Sequence, residues 1–125
     1  MPTNRSKLKK KIWKLFSRCI RLTDSVNGYS SCVTCGTVKP IEELHAGHYI
    51  HGNTKKTYFD ERNVHPQCVS CNMYKSGSLD KYALYLERVY GNGILQVLNT
   101  LSKQRYTRNE LDDLLIYYKE KLKGN

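Results

Sequence analysis

The chain has 125 residues, 39% hydrophobic and 26% charged, with a formal net charge of +10. That length supports one domain with a modest core. No apolar run could span a bilayer and no signal-like apolar stretch opens the chain, so no membrane partner and a reducing cytoplasm with unpaired cysteines are expected.

The charge is uneven. Residues 1–31 carry eight Lys/Arg against Asp24 alone, while 32–78 sum to +1 and 79–125 to +2. A lobe this basic attracts a polyanion, nucleic acid before an anionic membrane. Its segment SKLKKKIWKLFSRCIRLTDS reads as a helix, with Leu8, Ile12, Leu15, Phe16, Cys19 and Ile20 recurring at three and four residues. Lys7, Lys10, Lys11, Lys14, Arg18 and Arg21 mostly fall elsewhere on the wheel. Such a face is either solvated or phosphate-contacting; the absence of balancing acids favours phosphate. Asn27-Gly28 closes the segment.

SSCVTCGTVKPIEEL follows as a turn-rich loop, and HAGHYI has the alternation of a short strand. GNTKK suits a hairpin connection and TYFDE its returning strand. RNVHPQC reads as loop, since Pro66 is a poor helix-interior residue, with a helix starting near the second cysteine pair and ending at Gly77. Further on, Leu79, Tyr82, Leu86 and Val89 form a helical stripe that Gly91 should end. Ile94 to Leu101 suggests a second helix. Thr107 to Glu110 is a capping-box pattern opening a third, through Leu111, Leu114, Leu115, Tyr118 and Leu122. The tyrosines there suit a core or an interface better than a base-stacking platform. The expected fold is α+β, mainly helical: one domain over 1–125, with a basic helix in 1–31, a metal-stapled unit in 32–78 and a helical part in 79–125.

Cys32-x2-Cys35 and Cys68-x2-Cys71 carry the most specific signal. Two such knuckles supply four thiolates in a tetrahedron, the donor set of a structural zinc ion; a redox dithiol is the alternative. With sulfur in all four positions the metal would be a staple without an open site. The 32 intervening residues demand a substantial element between the knuckles. Cys19 lies outside the pattern, on the apolar stripe, and reads as a buried thiol.

The order of knuckle, Gly-His strand, Asn63, second knuckle and Asn72 resembles the HNH nucleases, whose ββα-metal unit is often stapled by four cysteines. Asn72 directly follows the last cysteine, as in phage endonuclease VII, a Holliday-junction resolvase of that class. The segments LFSRCIRLTD, CVTCG, HAGHYI, YFDERNVHPQCVSCN and KSGSLDKYALYLERVYG, with the Thr-capped last helix, extend the likeness. They resemble the phage lambda NinG (Rap) recombination nucleases over most of the chain. That family is associated with phage recombination and cleavage of branched DNA in the bacterial host cytoplasm.

The resemblance implies roles. His48 would be the general base, neutral near pH 7 and able to take a proton from water. Asn72 would ligate a catalytic divalent metal, Mg²⁺ or Mn²⁺, through its amide oxygen. Asn63 would hold backbone near His48. In many HNH enzymes the residue before the base is a metal-ligating acid or histidine, but here it is Gly47. Strand alternation puts residues 45 and 47 on one face, so His45 is the expected second ligand. Otherwise His45 only packs near the knuckle, and Asp60 or Glu61 reaches the metal. His51 reads as solvent-facing and His65 as a structural hydrogen-bonding residue. Lys55, Lys56, Arg62 and Lys75 could grip DNA backbone.

Three functions remain open on these grounds. One is a structure-directed endonuclease acting on Holliday junctions or D-loops; the second is a nonspecific nicking or homing-type HNH nuclease. The third is a zinc-stapled DNA-binding protein without hydrolysis. Symmetric junction cleavage needs two active sites, so a homodimer is one expected state and a monomer the other.

Overall fold

Asn4 opens the first helix by accepting the Lys7 amide proton at 2.9 Å, which satisfies one of the donors a helix start leaves bare. In the computed structural model, which describes residues 4–124, α1 runs Arg5–Leu22. The expected stripe is its inner face: Leu8, Ile12, Phe16, Cys19 and Ile20 are buried and Leu15 is half-buried. Lys7, Lys10, Lys11, Lys14 and Arg18 are exposed. Arg21 is half-buried and donates to the Ser17 and Ile41 carbonyls.

The first cysteine segment contains more order than a loop. β1 (Tyr29–Ser31) pairs antiparallel with β2 (Val38–Pro40), bracketing the first knuckle. A single 3-10 turn, Ile41–Glu43, leads into β3 (Leu44–His48). The returning strand is β4 (Val64–Cys68), in register from Leu44↔Cys68 to His48↔Val64. The expectation of a strand at TYFDE and of loop at RNVHPQC is therefore wrong. Residues 55–63 form consecutive tight turns, Tyr58 to Lys55, Asp60 to Thr57 and Asn63 to Asp60. Asp60 Oδ1 accepts the Arg62 amide at 2.9 Å, the local bond by which Asp favours a turn over a strand. Pro66 is tolerated in β4 because its carbonyl faces outward, accepting from Val33 N–H at 3.0 Å. Its nitrogen lies on that same side, so no ladder bond is lost.

After β4 the chain makes one wide helical turn, Ser70–Tyr74, with the i→i+5 bond of a π-turn from Lys75 N–H to Ser70 O. The three C-terminal helices are α2 (Leu79–Tyr90), α3 (Ile94–Leu101) and α4 (Arg108–Lys123). Gly91 ends α2 with φ +96°, a conformation natural only to glycine. The Thr107–Glu110 capping box is formed in both directions. Of the expected α2 stripe, Tyr82 and Leu86 are buried, whereas Leu79 and Val89 are exposed.

The molecule is mixed α/β, about half helical, in three layers. One face of the β3–β4 ribbon gives Ala46 and Val64 to a core with Leu8, Ile12, Phe16, Phe59, Leu111 and Tyr118, in which α1 packs on α4. Each fully buried large side chain there contributes roughly 1.5–3 kcal/mol. The other face presents Gly47 and His65 to Tyr82 of α2, which packs with Leu86 against Ile94 and Leu98 of α3. Among the described residues no helix is long and apolar enough to cross a membrane.

Candidate functional site

Cys32, Cys35, Cys68 and Cys71 gather their sulfur atoms within 4.8 Å of one another. Cys35 Sγ lies 3.7 Å from Cys68 Sγ, close to the edge of about 3.8 Å that a tetrahedron with 2.3 Å zinc–sulfur bonds requires. The first knuckle closes through Gly36 N–H to Cys32 O at 2.8 Å, with Gly36 at φ +79°. In the second, Cys71 N–H points at Cys68 Sγ. The Thr37 hydroxyl, bonded to Cys35 Sγ, brings that thiol down to about 6, already suited to metal binding. Among the described residues this cluster could hold a structural zinc ion, and its donor set fits one.

The clamp presses the ribbon against the π-turn. His45 Nδ1 and the Asn72 side-chain amide meet at 3.0 Å. They meet on the ribbon face that carries Gly47, opposite Gln67 and His65 of β4. Gly47 leaves room not for the His45 ring but for Gln67: a Cβ on Gly47 would collide with the Gln67 carboxamide oxygen. The Gln67 amide group donates to Gly77 O at 2.8 Å and Thr34 Oγ1 at 3.2 Å, joining the first knuckle to the segment after the π-turn beneath the strand. Asp60 and Glu61, the alternative metal ligands, are engaged elsewhere. Asp60 forms a two-pronged pair with Arg62, and Glu61 receives the Tyr118 hydroxyl and Lys121.

His48 ends β3 on the opposite ribbon face, toward α1. Its ring contacts Trp13 at 5.0 Å and Tyr58 at 4.6 Å between centroids, and those two rings touch each other at 5.3 Å. Nε2 lies 3.0 Å from the Tyr58 carbonyl. A carbonyl only accepts, so Nε2 carries the proton and Nδ1 keeps its lone pair. Burial pushes the His48 pKa down to about 4, against a smaller opposing effect of the Tyr58 carbonyl. The ring is therefore neutral at pH 7. His48 does not touch Asn72 or His45. Exposed His51 is its third ring neighbour, at 6.1 Å, with Nε2 on the side of Gly77, in the segment that follows the π-turn.

Asn63 is fully buried and binds backbone only. Its oxygen accepts Ile50 N–H, its amide donates to Ile50 O and Thr57 O, and its own carbonyl accepts Tyr49 N–H. It thereby ties the chain leaving His48 to the turn that delivers the Tyr58 carbonyl. His65 lies in a proton-ordered chain. Tyr82 O–H donates to Gly47 O at 2.7 Å, so Tyr82 accepts from His65 Nδ1–H, and Tyr90 O–H donates to Nε2. Burial holds His65 at about 4, neutral as that chain demands.

The sequence profile described as Bacteriophage Lambda NinG protein matches residues 3–125. The chain belongs to the NinG family. Protein ninG of Salmonella phage P22 is 36% identical over 94 residues, and those of Escherichia phage 933W and Escherichia phage lambda are 35% and 34% identical. Each alignment covers 74% of this chain and 46% of the relative, so the chain spans about half the length of the curated relatives it matches. No solved structure matches it.

Sequence reasoning about this NinG-family chain misses Trp13, Tyr58 and Gln67 around the histidines. Trp13 is the only tryptophan, set beside the apolar stripe of a lysine-rich helix, but nothing in that spacing indicates that it packs on a histidine 35 residues away. Tyr58 carries the signature of a strand residue, which hides its place in a turn.

Proposed function

We propose that this NinG-family chain carries a metal-dependent HNH-type DNA endonuclease site, directed by DNA shape to branched recombination intermediates such as Holliday junctions or D-loops in a bacterial cytoplasm. The observation that carries the reading is the meeting of His45 Nδ1 with the Asn72 carboxamide at 3.0 Å, on a ribbon and turn clamped by four cysteines. Those two side chains would hold a divalent cation, with the amide turned to present its oxygen; one imidazole in the set suits Mn²⁺ at least as well as Mg²⁺. When bound, that ion would stabilise charge on the phosphodiester and the departing 3′ oxygen.

His48 would supply the base at Nδ1, which requires a phosphodiester that reaches round the end of the ribbon, since His48 lies on the face opposite His45 and Asn72. The Tyr58 carbonyl fixes the tautomer that leaves this nitrogen bare, and the depressed pKa keeps the ring neutral at pH 7. Asn63 is a positioning residue, acting through the turn that carries Tyr58. Cutting both strands of a junction adds a homodimer to this reading, with one site per copy.

One observation favours a second reading, a zinc-stapled DNA-binding protein without hydrolysis. His48 is walled by Trp13 and Tyr58, 8% exposed, and lies across the ribbon from His45 and Asn72. The test is incubation of purified chain with Mg²⁺ or Mn²⁺ and labelled four-way junction or plain duplex. Junction cleavage alone supports the proposal, equal cleavage of both a nonspecific nicking enzyme, and binding without cleavage the second reading. His48→Ala should abolish cleavage and leave junction binding intact. Wild-type cutting by that variant would end the mechanism.

A further inference from the structure

The ion pairs among the described residues engage Lys56, Arg62, Arg108, Lys121 and Lys123. Three other cations converge from opposite ends of the chain, none paired with a carboxylate among the described residues. Arg5 and Lys9 stand one turn apart at the start of α1, and Arg105 lies in the loop between α3 and α4. Arg5 Nη1 donates to Tyr106 O at 3.0 Å, and Lys9 Nζ to Asn53 O at 2.9 Å. The loop holding Arg105 is tied to the segment after β3 by Lys56 N–H to Gln104 O and Phe59 N–H to the Tyr106 hydroxyl, both 2.9 Å. Glu110, the acid nearest in sequence, is bound to Lys56 and to Thr107 N–H.

We propose that Arg5, Lys9 and Arg105 form a binding site for a nucleic-acid backbone phosphate beside the histidine cluster. Backbone anchors hold two of the three cations in fixed positions, and no protein anion among the described residues balances them. Their mutual repulsion is felt at Lys9, whose pKa is lowered by burial and then by Arg5 and Arg105. An added anion would relieve that repulsion, and two guanidiniums offer the fork geometry that phosphate oxygens accept.

The location relates this site to the chemistry. Lys9 precedes Trp13 by one helical turn, about 6 Å, and Trp13 touches His48. Asn53 follows His51 by two residues. A phosphate held here is separated from the histidines by a helical turn and the Trp13–His48 ring contact, so it belongs to a different nucleotide of the strand from one presented at the histidines. It would set the register of the strand rather than take part in the reaction. The proposal rests on the reading that the partner is DNA, but not on hydrolysis.

The experiment measures binding of the full chain to a labelled four-way junction without added Mg²⁺ or Mn²⁺, across a salt series. Lys9→Gln and Arg105→Gln are compared with wild type and with Lys119→Gln, which removes an equal charge from the far part of α4. A variant that no longer neutralises one duplex phosphate has a log K against log salt slope smaller in magnitude by about 0.9. Lys9→Gln and Arg105→Gln should each lower it by about one and weaken binding several-fold at low salt, while Lys119→Gln leaves it unchanged. Arg105 is exposed, so its replacement leaves the fold intact, as a melting curve would check. Wild-type slopes in both variants overturn the site. No binding by wild type overturns both the site and the DNA reading. A reduced slope in the variants of a chain that never cuts upholds the site and removes hydrolysis.

Discussion

His48 depends on neighbours delivered by two separate segments. Trp13 comes from α1 and Tyr58 from the turns before β4, and together they exclude the water that would stabilise an imidazolium. Trp13→Leu should raise the His48 pKa from about 4 toward its ordinary 6.5, read from the ring proton shifts in an NMR titration. An unmoved value would assign the effect to Tyr58 alone. His48, Asn63 and Asn72 are legible in the sequence because their types and order match a known motif. The wall around His48 is not, because a tryptophan on an amphipathic helix has the same signature whether it packs on leucine or on histidine.

At the level of elements, the β3–β4 ribbon is governed by a pair no local pattern reveals. The Gln67 side chain crosses under Gly47 and joins Thr34 to Gly77. Gly47→Ala must displace that amide and break both bonds, so it should destabilise the fold by about 1–3 kcal/mol in urea unfolding. Pairing it with Gln67→Ser should return part of the loss, a coupling that a double-mutant cycle would measure. The knuckles behave differently, since their spacing announces them. Cys68→Ser, or a strong chelator, should release one zinc equivalent and abolish the cooperative melt of the ribbon; a metal-free chain with unchanged melting would exclude a structural ion. The returning strand lies later than its sequence suggests, because Tyr58 and Phe59 have strand-forming side chains. Asp60 instead bends them into a turn, and they reach the core as single inserted rings.

For the molecule as a whole, two neutral histidines in the interior make stability depend on acid. His48 and His65 titrate near 4 when folded, against 6.5 otherwise. Between those values the unfolded chain binds protons that the folded chain refuses, so stability falls as pH drops from 6.5 to 4. The loss is up to about 1.4 kcal/mol per pH unit for each histidine. Above 6.5 neither state binds these protons, so the loss vanishes and stability no longer changes with pH through these groups. Urea unfolding at about pH 7, 6 and 5 should show this slope, and His65→Phe should remove about half of it. An unaltered slope in that variant would mean that acid acts through the thiolates instead. The three-layer build explains why both rings are dry, since each face of the ribbon is covered by its own helix pair.

The sequence alone determined what depends on local spacing: the amphipathic helices, their ends at Thr107 and Gly91, the four-cysteine frame and the basic bias of the first helix. These follow from the period of the chain and from the few donor sets a metal accepts. Only the tertiary structure decided which faces meet. It joined His45 to Asn72, turned His48 to the other side of the ribbon, and brought Arg105 into the charge field of Arg5 and Lys9. Which residues meet across long stretches of chain depends on how layers stack, and no periodicity in a single chain encodes that stacking.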